Sequence, residues 1–306
     1  MTTTPPGTPE QAAFLKELLE AGLLVEMGVD GVYGRSAAFE DIIEAFDRYV
    51  VRVGAPDAPE VVRFPPLLPR THFEKSGYMK NMPQLAGTIH AFEGDQKAHV
   101  GLIGELERGE DWAHRQKMTD VVLTPAGCYP LYPTLKGSHG PDGRLCDVFS
   151  YCFRHEPSID PARMQMFRMH EFVRIGQPSA VQAWRSSWLD RGLEMVQRLG
   201  LDAHIALAND PFFGRTGKML AANQREQELK YELVVPITST ENPTAVLSFN
   251  YHQDLFGGLY GIHIGQDVAH TGCVGFGMER VTLALLKTHG LDPKSWPKQV
   301  RETLWP

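Results

Sequence analysis

Apolar positions along this chain change period several times, and each change marks an element. Residues 11–24 repeat apolar side chains at helical spacing, and residues 25–33 form a short strand-like piece around the turn pair Asp30-Gly31. Ser36 is placed to cap a second helix, because Phe39, Ile42, Ile43, Phe46 and Val50 behind it fall on one stripe. Residues 61–69 read as one strand running into the cluster Phe64-Pro65-Pro66-Leu67-Leu68-Pro69, where proline forbids a central helix and suits an edge or an interface.

From 120 to 175 the texture is that of strands: short apolar runs (121–123, 147–154 and 166–175) divided by Gly and Pro. Pro178 followed by Ser179-Ala180-Val181-Gln182 has the form of a capping box opening a helix to about 199. Strand-like segments follow at 229–237, 245–252 and 261–264. A last helix is expected from near Glu279 to about Thr288, stopped by Gly290 and Pro293. Turns join most neighbouring strands, so the pattern predicts an α+β fold with a mainly antiparallel sheet flanked by helices. With no repeat and no linker, residues 1–306 are expected to form a single domain, with 1–60 as a tail and helices packed on the core.

Composition narrows the function classes. The chain has 306 residues, 42% hydrophobic and 22% charged, as an ordinary globular enzyme has. No apolar run reaches the roughly 18 residues of a membrane helix, and the proline-rich start at 1–9 lacks the charge and apolar core of a secretory signal. A cytoplasmic protein with no membrane contact is expected. The net charge of −7, with Lys and Arg scattered, argues against a grip on long nucleic acid. Of the four cysteines none forms a C-x-x-C pair, and Cys146 and Cys152 read as small buried hydrophobes.

Two segments carry chemistry. Phe153-Arg154-His155-Glu156, a loop through Pro157, Asp160 and Pro161, then Arg163-Met164-Gln165-Met166-Phe167 reads as strand, loop and returning strand. Arginine forks clamp phosphates, a carboxylate accepts from an adenine amino group, and an aromatic ring stacks on a base. The plainer alternative is an exposed hairpin with surface ion pairs. Gly272-Cys273-Val274-Gly275-Phe276-Gly277-Met278-Glu279-Arg280 lacks the βαβ context of a dinucleotide fingerprint, so its small residues are read as allowing close packing and close approach of a nucleotide.

Together these segments resemble motif 2 (Phe-Arg-x-Glu, loop, Arg-x-x-x-Phe) and motif 3 (Gly-Phe-Gly-Met-Glu-Arg) of the class II aminoacyl-tRNA synthetases. The likeness covers roughly residue 64 to the C-terminus, with the proline cluster as a weaker candidate for the dimerisation motif. It implies a class II antiparallel sheet and ATP, with Mg²⁺ on its phosphates. It implies Arg154 as the catalytic contact to the α-phosphate, Glu156 and Phe167 at adenine, Arg163 at the outer phosphates and Arg280 on the opposite side of the nucleotide. Met164, Arg168, Lys230, Ala245 and Ser248 are added to that ATP set, and Glu171, Ser248 and Asn250 to the amino-acid pocket. Lys230 reads equally well as a solvated strand residue, and 245–250 as a half-exposed strand.

In that fold Cys128, Glu171 and Cys273 gather around the amino-acid pocket, and two thiolates, a carboxylate and an open position suit one zinc per chain. The set resembles the zinc ligands of methanogen-type seryl-tRNA synthetases; strand parity points the alternative ligands His155 and His170 to the other face. Because few residues precede the core and the chain is acidic, the closer resemblance is to the amino acid:[carrier protein] ligases, truncated homologues of that core. The implied function is activation of glycine or alanine as the adenylate and transfer to the phosphopantetheine thiol of an acyl-carrier-like protein, by a homodimer that does not use tRNA. A synthetase charging tRNA with a separate tRNA-binding partner and a non-catalytic nucleotide-binding paralogue are the alternatives.

Overall fold

The computed structural model describes residues 7–306, and positions 1–6 of the expected tail lie outside the described residues. A helix at Pro9–Glu20 is closed by a reciprocal capping box between Thr8 and Gln11. A hairpin of Leu24–Val29 and Val32–Arg35 follows, turning at Asp30-Gly31. Ser36 caps the helix Ala37–Gly54 by accepting from the Phe39 N–H, and the whole expected stripe is buried.

The centre is a seven-stranded sheet in the order His204–Leu207, Lys230–Val235, Thr244–Gln253, His270–Gly277, Met166–Gly176, Arg144–Phe153, Glu60–Arg63. Every neighbouring pair is antiparallel except the last, where Glu60–Arg63 runs parallel to Arg144–Phe153. One face is covered by the helices Ala37–Gly54, Pro178–Arg198 and Met278–His289. Phe172, Trp188, Phe249 and Phe276 share a core there with Phe14 and Leu18 of the first helix. The opposite face carries a second apolar group that includes Cys128, Tyr132, Val173, Phe256 and Cys273. Alternation along Met166–Gly176 therefore decides which residues reach a site: Phe167, Met169 and Glu171 face away from the helices, Arg168, His170 and Phe172 towards them.

Several expectations are corrected. Residues 61–69 are not one strand but two, Glu60–Arg63 and Leu67–Pro69, in different sheets. Pro65 and Pro66 have no N–H to continue a ladder, so the chain leaves one sheet and joins the other. Leu67–Pro69 pairs with Gln116–Leu123 in a small sheet completed by Thr88–Phe92, next to a helix Gln96–Glu107 that the pattern did not disclose. The long helix begins at Pro178 itself, with Gln177 as an N-cap that makes no side-chain bond. Proline suits the first helical position because its missing N–H would be unpaired there, so Ser179 falls inside the first turn and caps nothing. The helix Met278–His289 is also not the last, since Lys298–Leu304 follows it.

Candidate active site

The two chemistry-bearing segments meet side by side. The antiparallel register sets Gly275 opposite Glu171 and Gly277 opposite Met169 on one side, and Ser248 opposite Gly275 on the other. Small residues keep the floor open: a Cβ on Gly275 would come 3.1 Å from both Met169 Cε and Ser248 Oγ. Above this floor lies a cleft lined by Arg154, Glu156, Arg163, Met164, Phe167, Lys230, Ala245, Ser248 and Arg280 among others.

Each cation in the cleft is fixed by the chain. Arg154 donates Nε to the Pro125 carbonyl at 3.2 Å and sits 5.3 Å from the centre of the Phe167 ring. Arg280 donates Nε to the Ala162 carbonyl and Nη1 to the Ala245 carbonyl, at 2.9 and 3.0 Å. Burial, and then the like charges of Arg154 and Arg163, hold its guanidinium below the usual arginine range. Neighbouring cations that repel one another are stabilised by an anion placed among them. Arg163, half exposed, lies 3.3 Å from Glu156 and 3.7 Å from Asp160.

A larger cavity continues from the cleft, and Arg154, Met169, Lys230 and Ser248 line both. Lys230 is not a solvated strand residue: its Nζ lies 2.6 Å from Asp210 and 3.3 Å from Glu232, at the seam between the two spaces. Asp210 is fixed in turn by Gln224, which donates to its carboxylate at 2.9 Å and accepts from its backbone N–H at 2.7 Å. Nothing in the sequence pattern marked Asp210, because its partners lie on separate elements.

Cys128, Glu171 and Cys273 line the larger cavity, and their ligand atoms all lie within 4.8 Å of one another. Glu171 accepts a 2.6 Å hydrogen bond from the Gly127 N–H, and Asn250 donates its amide to Cys273 Sγ at 3.3 Å. Burial first, and then the neighbouring Cys273 charge, push the Glu171 carboxyl up to about 7. The neighbouring Cys273 and then burial push the Cys128 thiol well up, while Cys128, and then His252 and Asn250, hold the Cys273 thiol well down against its burial. Three buried acidic groups crowded together, two of them soft sulfur donors, fit a tetrahedral zinc ion with one position left open.

Not every expected residue reaches the site. Arg168 lies on the helix-facing side of its strand, where it is bound to Glu40 and Glu279 and lines neither cavity. Its position between Phe167 and Met169 forces that orientation, so the expectation of a nucleotide contact is corrected. Asn250 lines the larger cavity and not the cleft, while Ser248 lines both. His170 is buried on the far face between Asp47 and Asp147, as parity required. Cys146 and Cys152 are buried and free and line neither cavity.

No protein-family model matches the chain. Over 301 residues it is 45% identical to amino acid–[acyl-carrier-protein] ligase 2 of Bradyrhizobium diazoefficiens, covering 97% of this chain and 89% of the relative. Ligase 1 of the same organism is 42% identical over 303 residues, 98% of this chain and 92% of the relative. Type-2 serine–tRNA ligase of Methanopyrus kandleri is 26% identical over 273 residues, where 80% of this chain spans only 51% of that protein. Among solved structures, the M. kandleri seryl-tRNA synthetase in complex with A. aeolicus tRNASec superposes with a TM-score of 0.81 at 22% identity, over 95% of this chain and 60% of that one. A cytoplasmic serine–tRNA ligase from Naegleria fowleri in complex with AMP gives 0.71 at 12% identity, over 95% and 65%. The fold is thus that of the class II seryl-tRNA synthetase core, and at 45% identity over nearly its whole length this chain belongs to the amino acid–[acyl-carrier-protein] ligases.

Proposed function

We propose that this chain activates a small amino acid, glycine or alanine, with ATP and passes it to the phosphopantetheine thiol of a carrier protein. The observation that carries this reading is the continuity of the two cavities. A cationic cleft and a zinc-fitting triad share Arg154, Met169, Lys230 and Ser248 as a common wall. A nucleotide in one space and an amino acid in the other would meet at Arg154.

In the first step the amino-acid carboxylate attacks the α-phosphorus of ATP and pyrophosphate leaves. Arg154 neutralises charge at the α-phosphate, Arg280 and Arg163 hold the nucleotide from either side, and Glu156 and Phe167 receive the adenine; Mg²⁺, when bound with ATP, would offset further phosphate charge. Met164 and Ala245 close the walls of the cleft. Cys128, Glu171 and Cys273 would hold the zinc, which when bound supplies an open position for a deprotonated α-amino group. In the second step a thiolate attacks the adenylate carbonyl carbon, and the anhydride bond to AMP breaks.

The larger cavity supports a protein-borne thiol as acceptor. Its rim includes Phe212, Leu220, Asn223 and Gln224, and the adjoining helix Gly214–Glu226 exposes Arg215, Lys218, Met219 and Arg225. That local basic face, on a chain of net charge −7, complements an acidic carrier. We further read residues 1–306 as one catalytic unit, acting without tRNA as a homodimer in the cytoplasm. The core shared by Phe14, Leu18 and Phe276 supports the first point, and four free thiols suit a reducing compartment.

Amino-acid-dependent exchange of labelled pyrophosphate into ATP tests the activation step. Exchange with glycine or alanine is expected; if none of the twenty amino acids supports it, the proposal fails.

A further inference from the structure

The three zinc-fitting side chains do not stand alone. His252 lies two residues beyond Asn250 on the strand Thr244–Gln253, on the same face, and lines the larger cavity. Its Nε2 is 3.8 Å from Cys273 Sγ. Its Nδ1 is 3.1 Å from Thr271 Oγ1 and 3.4 Å from the Tyr132 hydroxyl. Thr271 and Tyr132 are both fully buried, and each hydroxyl brings a proton of its own. With both hydroxyls gathered at Nδ1, the ring is turned so that Nε2 faces the sulfur. The ring is held edge-on against Phe256, 5.0 Å between centres, so it cannot swing away without breaking that packing.

We infer that His252 is a positioning residue for the metal ligand Cys273, oriented by Thr271 and Tyr132 and acting beside Asn250; this rests on the zinc reading above. A thiolate that accepts two hydrogen bonds has its lone pairs directed and part of its charge drawn off, so the remaining donor density points at the metal. Cys273 takes these from Asn250 and His252, and Glu171 takes its own from the Gly127 N–H. Two of the three ligands are therefore oriented before any ion arrives. His155 and His170, by contrast, line neither cavity.

The test measures zinc affinity by competition with a chromogenic chelator, and the absorption spectrum of the cobalt-substituted protein. His252→Phe keeps an aromatic ring against Phe256 but removes the donor, and His252→Gln returns an N–H near the position of Nε2. Zinc affinity is expected to fall about 10–100-fold in His252→Phe, with a shifted thiolate-to-cobalt band, and to recover to within a few-fold of wild type in His252→Gln. Thr271→Val, which leaves the ring in place, should weaken zinc in the same direction but less. Unchanged affinity and spectrum in a folded His252→Phe overturn the inference. So does a cobalt spectrum that loses tetrahedral character in both His252 variants, which would make His252 a ligand. Wild-type protein that takes up no zinc overturns the metal reading itself and this inference with it.

Discussion

Glu279 accepts from both the backbone N–H and the Nε of Arg168, at 2.7 and 2.9 Å, from the first turn of the helix that carries Arg280. Arg35 approaches the same carboxylate at 3.3 Å, and Glu40 takes the other side of Arg168 at 2.5 and 2.8 Å. The network ties the cleft's two defining segments to each other and to the N-terminal hairpin and helix.

Breaking that network should unfold the protein more easily. Removing one partner leaves a buried charge uncompensated, which costs about 3–5 kcal/mol. Glu279→Gln should lower the urea midpoint accordingly, with the slope of the transition preserved. A change below about 1 kcal/mol would show that Arg168 finds enough in Glu40 alone.

The cleft arginines should separate from the network in an activity assay. Arg154→Ala and Arg280→Ala each remove a preorganised cation from the phosphate region, and pyrophosphate exchange should drop by about 100- to 1,000-fold in a folded protein. Arg163 is half exposed and paired with Glu156 and Asp160, so Arg163→Ala should cost less than either.

Gly54 ends the second helix against Phe172. A Cβ there would lie 2.3 Å from Phe172 Cζ, and that ring is already wedged between Trp188 and Phe276. Gly54→Ala should therefore destabilise by about 1–3 kcal/mol, although alanine is the better helix former. A thermal midpoint at or above that of wild type would contradict this packing.

Asp210 gives a pH signature. Burial would raise its carboxyl, but the charge and hydrogen bond of Lys230, and then Gln224, hold it down to about 2 from an ordinary 3.8. A carboxyl depressed in the folded state contributes stability that is complete above the ordinary value and is lost as pH falls through the folded one. Since the side chain is 33% exposed, the contribution is discounted for solvent screening to about 1–2 kcal/mol. Between pH 5 and 2 wild type should lose that much more stability than Asp210→Asn; parallel acid limbs would refute it.

Much of the architecture was legible because local signals and tertiary demands agreed. Ser36 capped its helix, the Phe39-to-Val50 stripe was buried, and the strands carrying Phe153 and Phe167 paired as expected. Cys128, Glu171 and Cys273 converge as the family resemblance implied. Arg168 was misread although strand alternation contained the answer, since the parity that turns His170 away from the site turns Arg168 away too. The break at Pro65-Pro66, the small sheet around Gln116–Leu123, and the pairing of Asp210 with Lys230 were not legible. Each depends on which distant element lies alongside, and hydrophobic period carries no such information.

The acceptor is the central claim, and one measurement addresses it directly. Radiolabelled glycine and alanine, with ATP, are offered in separate reactions to a phosphopantetheinylated acyl carrier protein and to total tRNA. Label is expected on the carrier as an alkali-labile thioester, absent from the apo-carrier that lacks the prosthetic thiol, and absent from tRNA. Label in tRNA, or an unlabelled carrier from enzyme that supports pyrophosphate exchange, would contradict the account.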